Sequence, residues 1–252
     1  MTRVIRSPQE FKQWRRDQAG MTVGFVPTMG ALHAGHESLL QRCREENEIS
    51  VLSIFVNPTQ FNDPKDFEKY PITWDQDLAL AEKNGVDVIF YPRPEEMYPD
   101  GYHYKVIEND FSNVLCGASR PGHFDGVLSV VMKLFNVVSP SKAYFGEKDF
   151  QQLTLIQGMV RAFFLDLVIV PVPTMREADG LALSSRNTRL KPEERLKAPA
   201  IYKTLKAAKS PSEAAAILAE QGLKVEYVTD LKGRRFAAAF LGDVRLIDNV
   251  QI

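Results

Sequence analysis

The sequence predicts an α/β protein, a doubly wound parallel sheet followed by a smaller C-terminal α+β domain. Three observations carry that expectation. Short apolar runs alternate with helical stretches from Met21 to Val172, the pattern of a parallel sheet covered on both faces with right-handed crossovers. After Pro173 two helical stretches are followed by three short strands with no helix between them. The 252 residues exceed one ordinary domain, which sets a boundary near 175 and predicts domains 1–174 and 175–252.

The elements follow in order. Ser7-Pro8-Gln9-Glu10 has capping-box form and opens a helix expected to run to Gly20. Met21 to Val26 is a buried strand closed by Pro27, and Glu37 to Asn47 a helix. The alternation continues with a strand at Ile49 to Val56, a helix at Trp74 to Asn84 and a strand at Val86 to Tyr91. A helix at Val127 to Val138, a strand at Ala143 to Phe145, a helix at Phe150 to Phe164 and a strand at Leu167 to Val172 complete the first domain. Asn57 to Pro71 and Pro92 to Gly122 are loops or small excursions that could rim a site. In the second domain, Lys197 to Ala208 and Ser212 to Gln221 read as helices, with strands at Val225 to Thr229, Phe236 to Phe240 and Val244 to Ile247. The architecture is Rossmann-like in its first domain.

Composition excludes several classes. Lys and Arg number 31 against 32 Asp and Glu, a net charge of −1, so no polyanionic partner is indicated and nucleic acid is not expected. Cys43 and Cys116, the two cysteines, indicate buried thiols in a reducing compartment rather than a disulfide framework. There is no signal-like apolar run at the start and no stretch of about 18 apolar residues, so a cytoplasmic protein without membrane association is expected.

Chemistry concentrates at strand ends. Pro27-Thr28-Met29-Gly30-Ala31-Leu32-His33-Ala34-Gly35-His36 joins the first buried strand to its helix and holds two of the four histidines. Ligands of open α/β sheets bind at the carboxyl ends of strands, where helix N-termini offer amides to phosphate. Gly30 and Gly35 would let the backbone approach a nucleotide, and His33 and His36 can donate to phosphate oxygens. No third metal ligand accompanies them, so no protein metal site is expected there. Asn57-Pro58 is a turn that aims Gln60 into the cleft. Gly146-Glu147-Lys148-Asp149 again falls between strand and helix, with Lys148 for phosphate and Asp149 for ribose hydroxyls, or a solvated charge cluster. Gln152, on the following first turn, can face the same cleft. Leu183-Ser184-Ser185-Arg186 offers two hydroxyls and a guanidinium to phosphate, with Asp179-Gly180 as a hinge; an N-cap serine pair is the simpler alternative. Asp125 reads as a helix cap, and His103 as a surface residue. Asp75 and Asp77 are solvated helix acids or orient Mg²⁺ through water.

The His-x-Gly-His of His33 to His36 resembles the signature of the nucleotidylyl-transferase superfamily. The segments Pro27 to His36, Phe55 to Phe61, Gly122 to Val127, Phe145 to Leu153 and Arg176 to Asn187, with Arg245 to Asn249 near the end, together resemble the pantothenate synthetase (pantoate–β-alanine ligase) family. That resemblance implies ATP-dependent condensation of pantoate with β-alanine through a pantoyl adenylate, in a homodimer, with Mg²⁺ on the phosphates. It implies catalytic roles for His36, His33, Lys148 and Arg186. ATP would be held by Met29, Gly30, Ala31, Leu32, His33, Ala34, Gly35 and His36, by Gly146 to Asp149, by Met175 and by Leu183, Ser184, Ser185 and Arg186. Pantoate would meet Gln60 and Gln152, with an apolar wall from Phe61 and the Pro27 to Met29 run, and β-alanine would meet Gln60. The resemblance also leads one to expect a longer C-terminal module, so its brevity would alter lid closure or dimer packing. A nucleotidyltransferase acting on a phosphate acceptor would share the histidines but should place Arg or Lys where Gln60 and Gln152 stand; a nucleotide-sensing or tRNA-binding module is the non-enzymatic alternative.

Overall fold

The computed structural model describes residues 2–62 and 64–252. Contacts divide the chain into two compact units. One holds Met1–Leu32, His36–Phe145 and Gln151–Val172; the other holds His33–Gly35, Gly146–Phe150 and Pro173–Ile252.

The first unit contains a six-stranded sheet. Its elements are β1 (Arg3–Ile5), α1 (Pro8–Asp17), β2 (Val23–Thr28), α2 (Ala34–Glu45), β3 (Ile49–Ile54), α3 (Pro64–Glu68), α4 (Trp74–Lys83), β4 (Val88–Phe90), α5 (Pro94–Met97), α6 (Cys116–Ser119), α7 (His123–Val138), β5 (Lys142–Gly146), α8 (Phe150–Ala162) and β6 (Val168–Val172). The order is β1-β4-β3-β2-β5-β6, and β1 with β4, β4 with β3, β3 with β2 and β2 with β5 pair in parallel. Succession reverses direction at β2, so the crevice at the carboxyl ends of β2 and β5 is the topological switch point. The two loops singled out by their chemistry leave these two strands. The fold class is therefore as expected.

Several boundaries differ from those expected. Pro27 does not close β2 but sits inside it, paired with Ser53. Thr22 and Thr28 carbonyls accept from Ile49 and Phe55 on β3, whereas the Val23 carbonyl accepts from Ser141; by alternation Pro27 faces β5, where the ladder has ended at Phe25↔Ala143, so its missing N–H costs no bond. Helix α1 stops at Asp17 with Gln18 as its cap, before Gly20. Helix α2 starts at Ala34 rather than Glu37, placing His36 in its first turn. Helix α7 starts at His123 behind a left-handed Gly122 (φ 77°), so Asp125 lies in the first turn and is not the cap. The short strand β1, unanticipated in Arg3–Ile5, adds to β4 at the sheet edge.

One face of the sheet and the helices packed on it build a core cluster that includes Val26, Leu40, Cys43, Leu52, Ile89 and Tyr144, and Phe25, Val51 and Val88 are buried on the opposite face. Burial pushes the Cys43 thiol up to about 12, the inert state expected of a core cysteine; Cys116 is also buried. No described helix is long and apolar enough to cross a membrane.

The second unit is α+β: α9 (Pro192–Lys197), α10 (Ala200–Ala207) and α11 (Pro211–Glu220) precede β7 (Lys224–Leu231), β8 (Arg234–Leu241) and β9 (Val244–Gln251). The strands form an antiparallel meander over Ile201, Leu205, Leu218, Ala237, Ala239 and Leu246. The predicted helix from Lys197 to Ala208 is broken at Ala198 and Pro199 into α9 and α10, because proline has no N–H for a continuous ladder.

Candidate active site

The loop after β2 is built on backbone bonds. Thr28 donates its hydroxyl to the Ser53 carbonyl (2.7 Å) and accepts from the Gly30 amide (3.2 Å). Gly30 and Ala31 both take positive φ, 82° and 50°. The Ala31 and Leu32 amides then donate to the two carboxylate oxygens of Asp77, at 3.0 and 2.8 Å. Asp77 is 2% exposed, so it is not the solvated helix acid expected; its oxygens accept from this loop.

His33 follows. Its Nδ1 accepts from the Gly35 amide at 3.1 Å, which leaves the ring proton on Nε2. Burial, then the charge of Lys148, hold His33 down at about 4 against the ordinary 6.5, with Asp149 opposing. At neutral pH His33 is thus an uncharged donor rather than a cation. The two glycines serve the protein's own packing. A Cβ on Gly30 would meet Asp77 at 2.9 Å, and one on Gly35 would meet His33 Cε1 at 2.9 Å and Nδ1 at 3.0 Å. Ala34, Gly35 and His36 open α2, so a helix start, with the positive end of its dipole, lies within the motif.

The turn after β5 is organised from β9. Glu147–Asp149 forms a single 3-10 turn leading into α8. Asn249, 3% exposed, donates its amide to the Glu147 and Lys148 carbonyls, both at 3.0 Å. Arg234 bonds Asn249 Oδ1 (2.6 Å) and Glu147 (3.0 Å) and stacks on the Phe150 ring at 4.0 Å. With the Glu147 and Lys148 carbonyls taken by Asn249, the turn carries the Lys148 ammonium, which lies 3.7 Å from the Asp149 carboxylate.

In the second unit the Met175 carbonyl accepts from the Leu183 amide (3.0 Å), and Leu183 Cβ lies 3.7 Å from where a Gly35 Cβ would sit. The His33–Gly35 and Ser184–Arg186 segments are thereby brought together. Ser184 caps the 3-10 turn Ser185–Arg189, accepting from the Arg186 amide at 3.3 Å. Its hydroxyl already has that structural task, as the simpler alternative held. Asp179-Gly180 is not a free hinge: Arg195 bridges Asp179 (2.6 Å) and Glu177 (2.8 Å). A Cβ on Gly180 would also strike Tyr202 at 2.9 Å. Arg176 adds a bidentate pair with Asp248, at 2.6 and 2.8 Å.

Back in the first unit, Gln60 ends the 3-10 turn Pro58–Gln60. Asn57, 1% exposed, fixes its orientation. Tyr98 and Thr59 donate to Asn57 Oδ1 (2.7 and 3.0 Å), so Asn57 Nδ2 must donate, and does, to Gln60 Oε1 (3.0 Å) and the Gly126 carbonyl (3.2 Å). Gln60 therefore turns its amide nitrogen outward, 3.1 Å from Met29 sulfur, a weak acceptor easily displaced by a substrate oxygen. The Gln60 carbonyl accepts from His123 (2.8 Å) and Arg120 (3.2 Å). Gly126 has no Cβ because one would lie 2.4 Å from the Thr59 carbonyl. Phe61 packs edge-on to Phe67 and Tyr70. On α8 the neighbours divide their tasks. Gln151 is buried against Cys116, Phe111 and Val114 backbone groups, while Gln152 is half-buried and uncommitted among the described residues.

Sequence reasoning missed Asp77, Asn57 and Asn249 as site-building residues. The Asn57-Pro58 turn was itself a signal for the second; neither a helix acid nor a strand asparagine carries a local signal for the others. Among the described residues no three His, Cys, Asp or Glu side chains are placed to hold a metal.

Fold and loops define an α/β protein that carries a His-x-Gly-His segment at the topological switch point of its parallel sheet. The sequence profile of the family described as pantoate-beta-alanine ligase matches residues 3–251. The chain belongs to that family. It is 72% identical over 252 residues, the whole of both chains, to the pantothenate synthetase of Bdellovibrio bacteriovorus. To that of Legionella pneumophila (strain Lens) it is 54% identical over 229 residues, 91% of each. Its structure is similar to the crystal structure of pantoate-beta-alanine ligase from Francisella tularensis complexed with beta-gamma ATP and beta-alanine. The TM-score is 0.95 at 40% identity, covering 100% of this chain and 98% of that one. The match covers 100% of the Bdellovibrio protein and 98% of the Francisella chain, so the C-terminal module expected to be short is not short beside these two.

Proposed function

We propose that this chain condenses pantoate with β-alanine at the expense of ATP, through an enzyme-bound pantoyl adenylate, releasing AMP and pyrophosphate. The observation that carries this reading is the switch-point pair of loops, one ending in an uncharged imidazole donor and the other in Lys148, in a member of this family.

In the first half-reaction a pantoate carboxylate oxygen attacks the α-phosphorus and the bond to the β-phosphate breaks. An anion approaches a polyanion, so the barrier is electrostatic and orientational. His33 donates through Nε2–H, Lys148 and Arg186 supply positive charge, and Ser184 and Ser185 add polar contacts. The amides of Gly146 to Asp149 and of the α2 start line the nucleotide, with Met29 to Leu32, Met175 and Leu183 around it. Mg²⁺ bound to the polyphosphate would supply further charge neutralisation. In the second half the neutral amine of β-alanine attacks the acyl carbon, the acyl–phosphate oxygen bond breaks and AMP leaves. His36 handles the proton. Gln60 donates to pantoate and meets β-alanine, and Gln152 reads a pantoate hydroxyl. In this reading residues 1–174 bind pantoate and part of the nucleotide, and 175–252 contribute Met175 and Leu183 to Arg186 and act as the lid that keeps water from the labile adenylate. The enzyme works in the cytoplasm, where ATP is supplied, as a homodimer.

Incubation with ATP, pantoate and β-alanine should release AMP and pyrophosphate in equal amounts. Pyrophosphate without β-alanine should stop near one equivalent per site. Gln60→Ala and Gln152→Ala should lose this burst while calorimetric ATP binding persists. ADP release, or pantoate-independent turnover, would refute the reading.

A further inference from the structure

We infer that Asp77 is a positioning residue for this reaction, one that clamps Gly30 to Leu32 into a rigid support for His33. The inference rests on the function proposed above. An acid in the first turn of a helix ordinarily faces its own helix's free amides. Asp77 does not: its own amide is satisfied by the Thr73 carbonyl (2.9 Å), and its carboxylate accepts from Ala31 and Leu32 instead. Thr73 braces it, donating its hydroxyl to Asp77 Oδ1 at 3.1 Å. A left-handed backbone at Ala31 (φ 50°) is unfavourable for a residue with a Cβ, and two charge-assisted bonds offset that cost.

The clamp has a chemical consequence. The Gly30 amide is held by Thr28, and those of Ala31 and Leu32 by Asp77. None of the three is available to phosphate. The segment that a glycine-bearing loop suggests as a phosphate cradle is therefore a scaffold, and in the function proposed above donation to phosphate from this motif falls to the His33 side chain. Asp77 is 2% exposed and its oxygens accept from Ala31, Leu32 and Thr73, so the inferred role is toward the loop and predicts no change in the magnesium requirement.

The test is amide hydrogen exchange combined with kinetics on Asp77→Asn. In the wild-type protein without nucleotide, Ala31 and Leu32 should be protected. In the variant their exchange should accelerate tenfold or more, while Val26 and Val51 in the sheet stay as they were. The kcat for pyrophosphate release should fall by 10- to 100-fold, KM for ATP should move less than threefold, and the Mg²⁺ concentration giving half-maximal rate should not change. Thr73→Ala, which keeps the carboxylate and removes its brace, should show the same pattern more weakly and serves if the first variant does not fold. Freely exchanging Ala31 and Leu32 amides in the wild type, unchanged kcat in a folded variant, or a raised magnesium requirement would overturn the inference. If the wild type makes no pantoate-dependent pyrophosphate, the proposed function fails, and the exchange data still decide the clamp.

Discussion

Replacing Gly35 by alanine should separate stability from activity. Gly35 lies in the first turn of α2 and does not need a positive φ, so alanine suits the backbone and gains about 1 kcal/mol of helix propensity. The new methyl would meet His33 Cε1 at 2.9 Å and Nδ1 at 3.0 Å, with Leu183 behind it at 3.7 Å. Ordinary carbon contacts begin near 3.5 Å, so the imidazole must move by roughly 0.5 to 1 Å, at a strain cost of about 1 kcal/mol. The two effects nearly cancel in stability. They do not cancel in function, because the same movement lengthens the Gly35 N–H···Nδ1 bond from 3.1 Å and releases the ring from its tautomer. A displacement of that size at a reacting centre costs about 10²-fold in rate. Urea denaturation should give a stability within about 1 kcal/mol of wild type, while single-turnover adenylate formation slows by about 10²-fold. Wild-type turnover by the stable variant would refute the assignment of His33 as a fixed donor.

Other perturbations test separate parts of the site. Because the His33 pKa in the folded chain is depressed to about 4, the unfolded chain binds a proton between pH 6.5 and 4 that the folded one refuses. Stability should therefore fall as pH drops through that window and level off above it. The full shift would be worth about 3 kcal/mol, and screening of a half-buried ring reduces this to about 1 to 2; His33→Asn should flatten that slope in pH-dependent denaturation. Asn249→Ala leaves the Glu147 and Lys148 carbonyls without their donor, which should cost about 2 to 4 kcal/mol and weaken calorimetric ATP binding about tenfold; undiminished affinity would detach the turn from the nucleotide. Arg186→Lys keeps the charge but loses the planar fork, so pyrophosphate release should fall by roughly tenfold or more. A wild-type rate in that variant would count against a polyphosphate role.

Much of the architecture was legible because its signals are local. Periodicity gave the alternation of Val23–Thr28, Ala34–Glu45 and Ile49–Ile54, and the change of pattern after Pro173 gave the α+β module. Boundaries were less legible where tertiary pairing overrides a local rule. Pro27 reads as a strand terminator, yet its missing N–H falls on the side where no partner strand continues. His123 begins a helix four residues before the apolar run shows one, because Gly122 supplies the left-handed turn that precedes it.

The sequence by itself determined which strand ends carry the groups proposed to meet phosphate, since histidines, glycines and a lysine between a strand and a helix are legible by type and spacing. Only the tertiary structure decided how those groups are held and charged. His33 is uncharged because burial and Lys148 act on it together, and Gln60 presents its nitrogen because Tyr98 and Thr59 orient Asn57 first. Asp77 and Asn249 became builders of the site through bonds to loops distant in sequence. The physical reason is the range of the interactions: residue type and periodicity act within a turn or two of chain, whereas burial, tautomer and clamping bonds exist only once packing brings remote segments within hydrogen-bond reach.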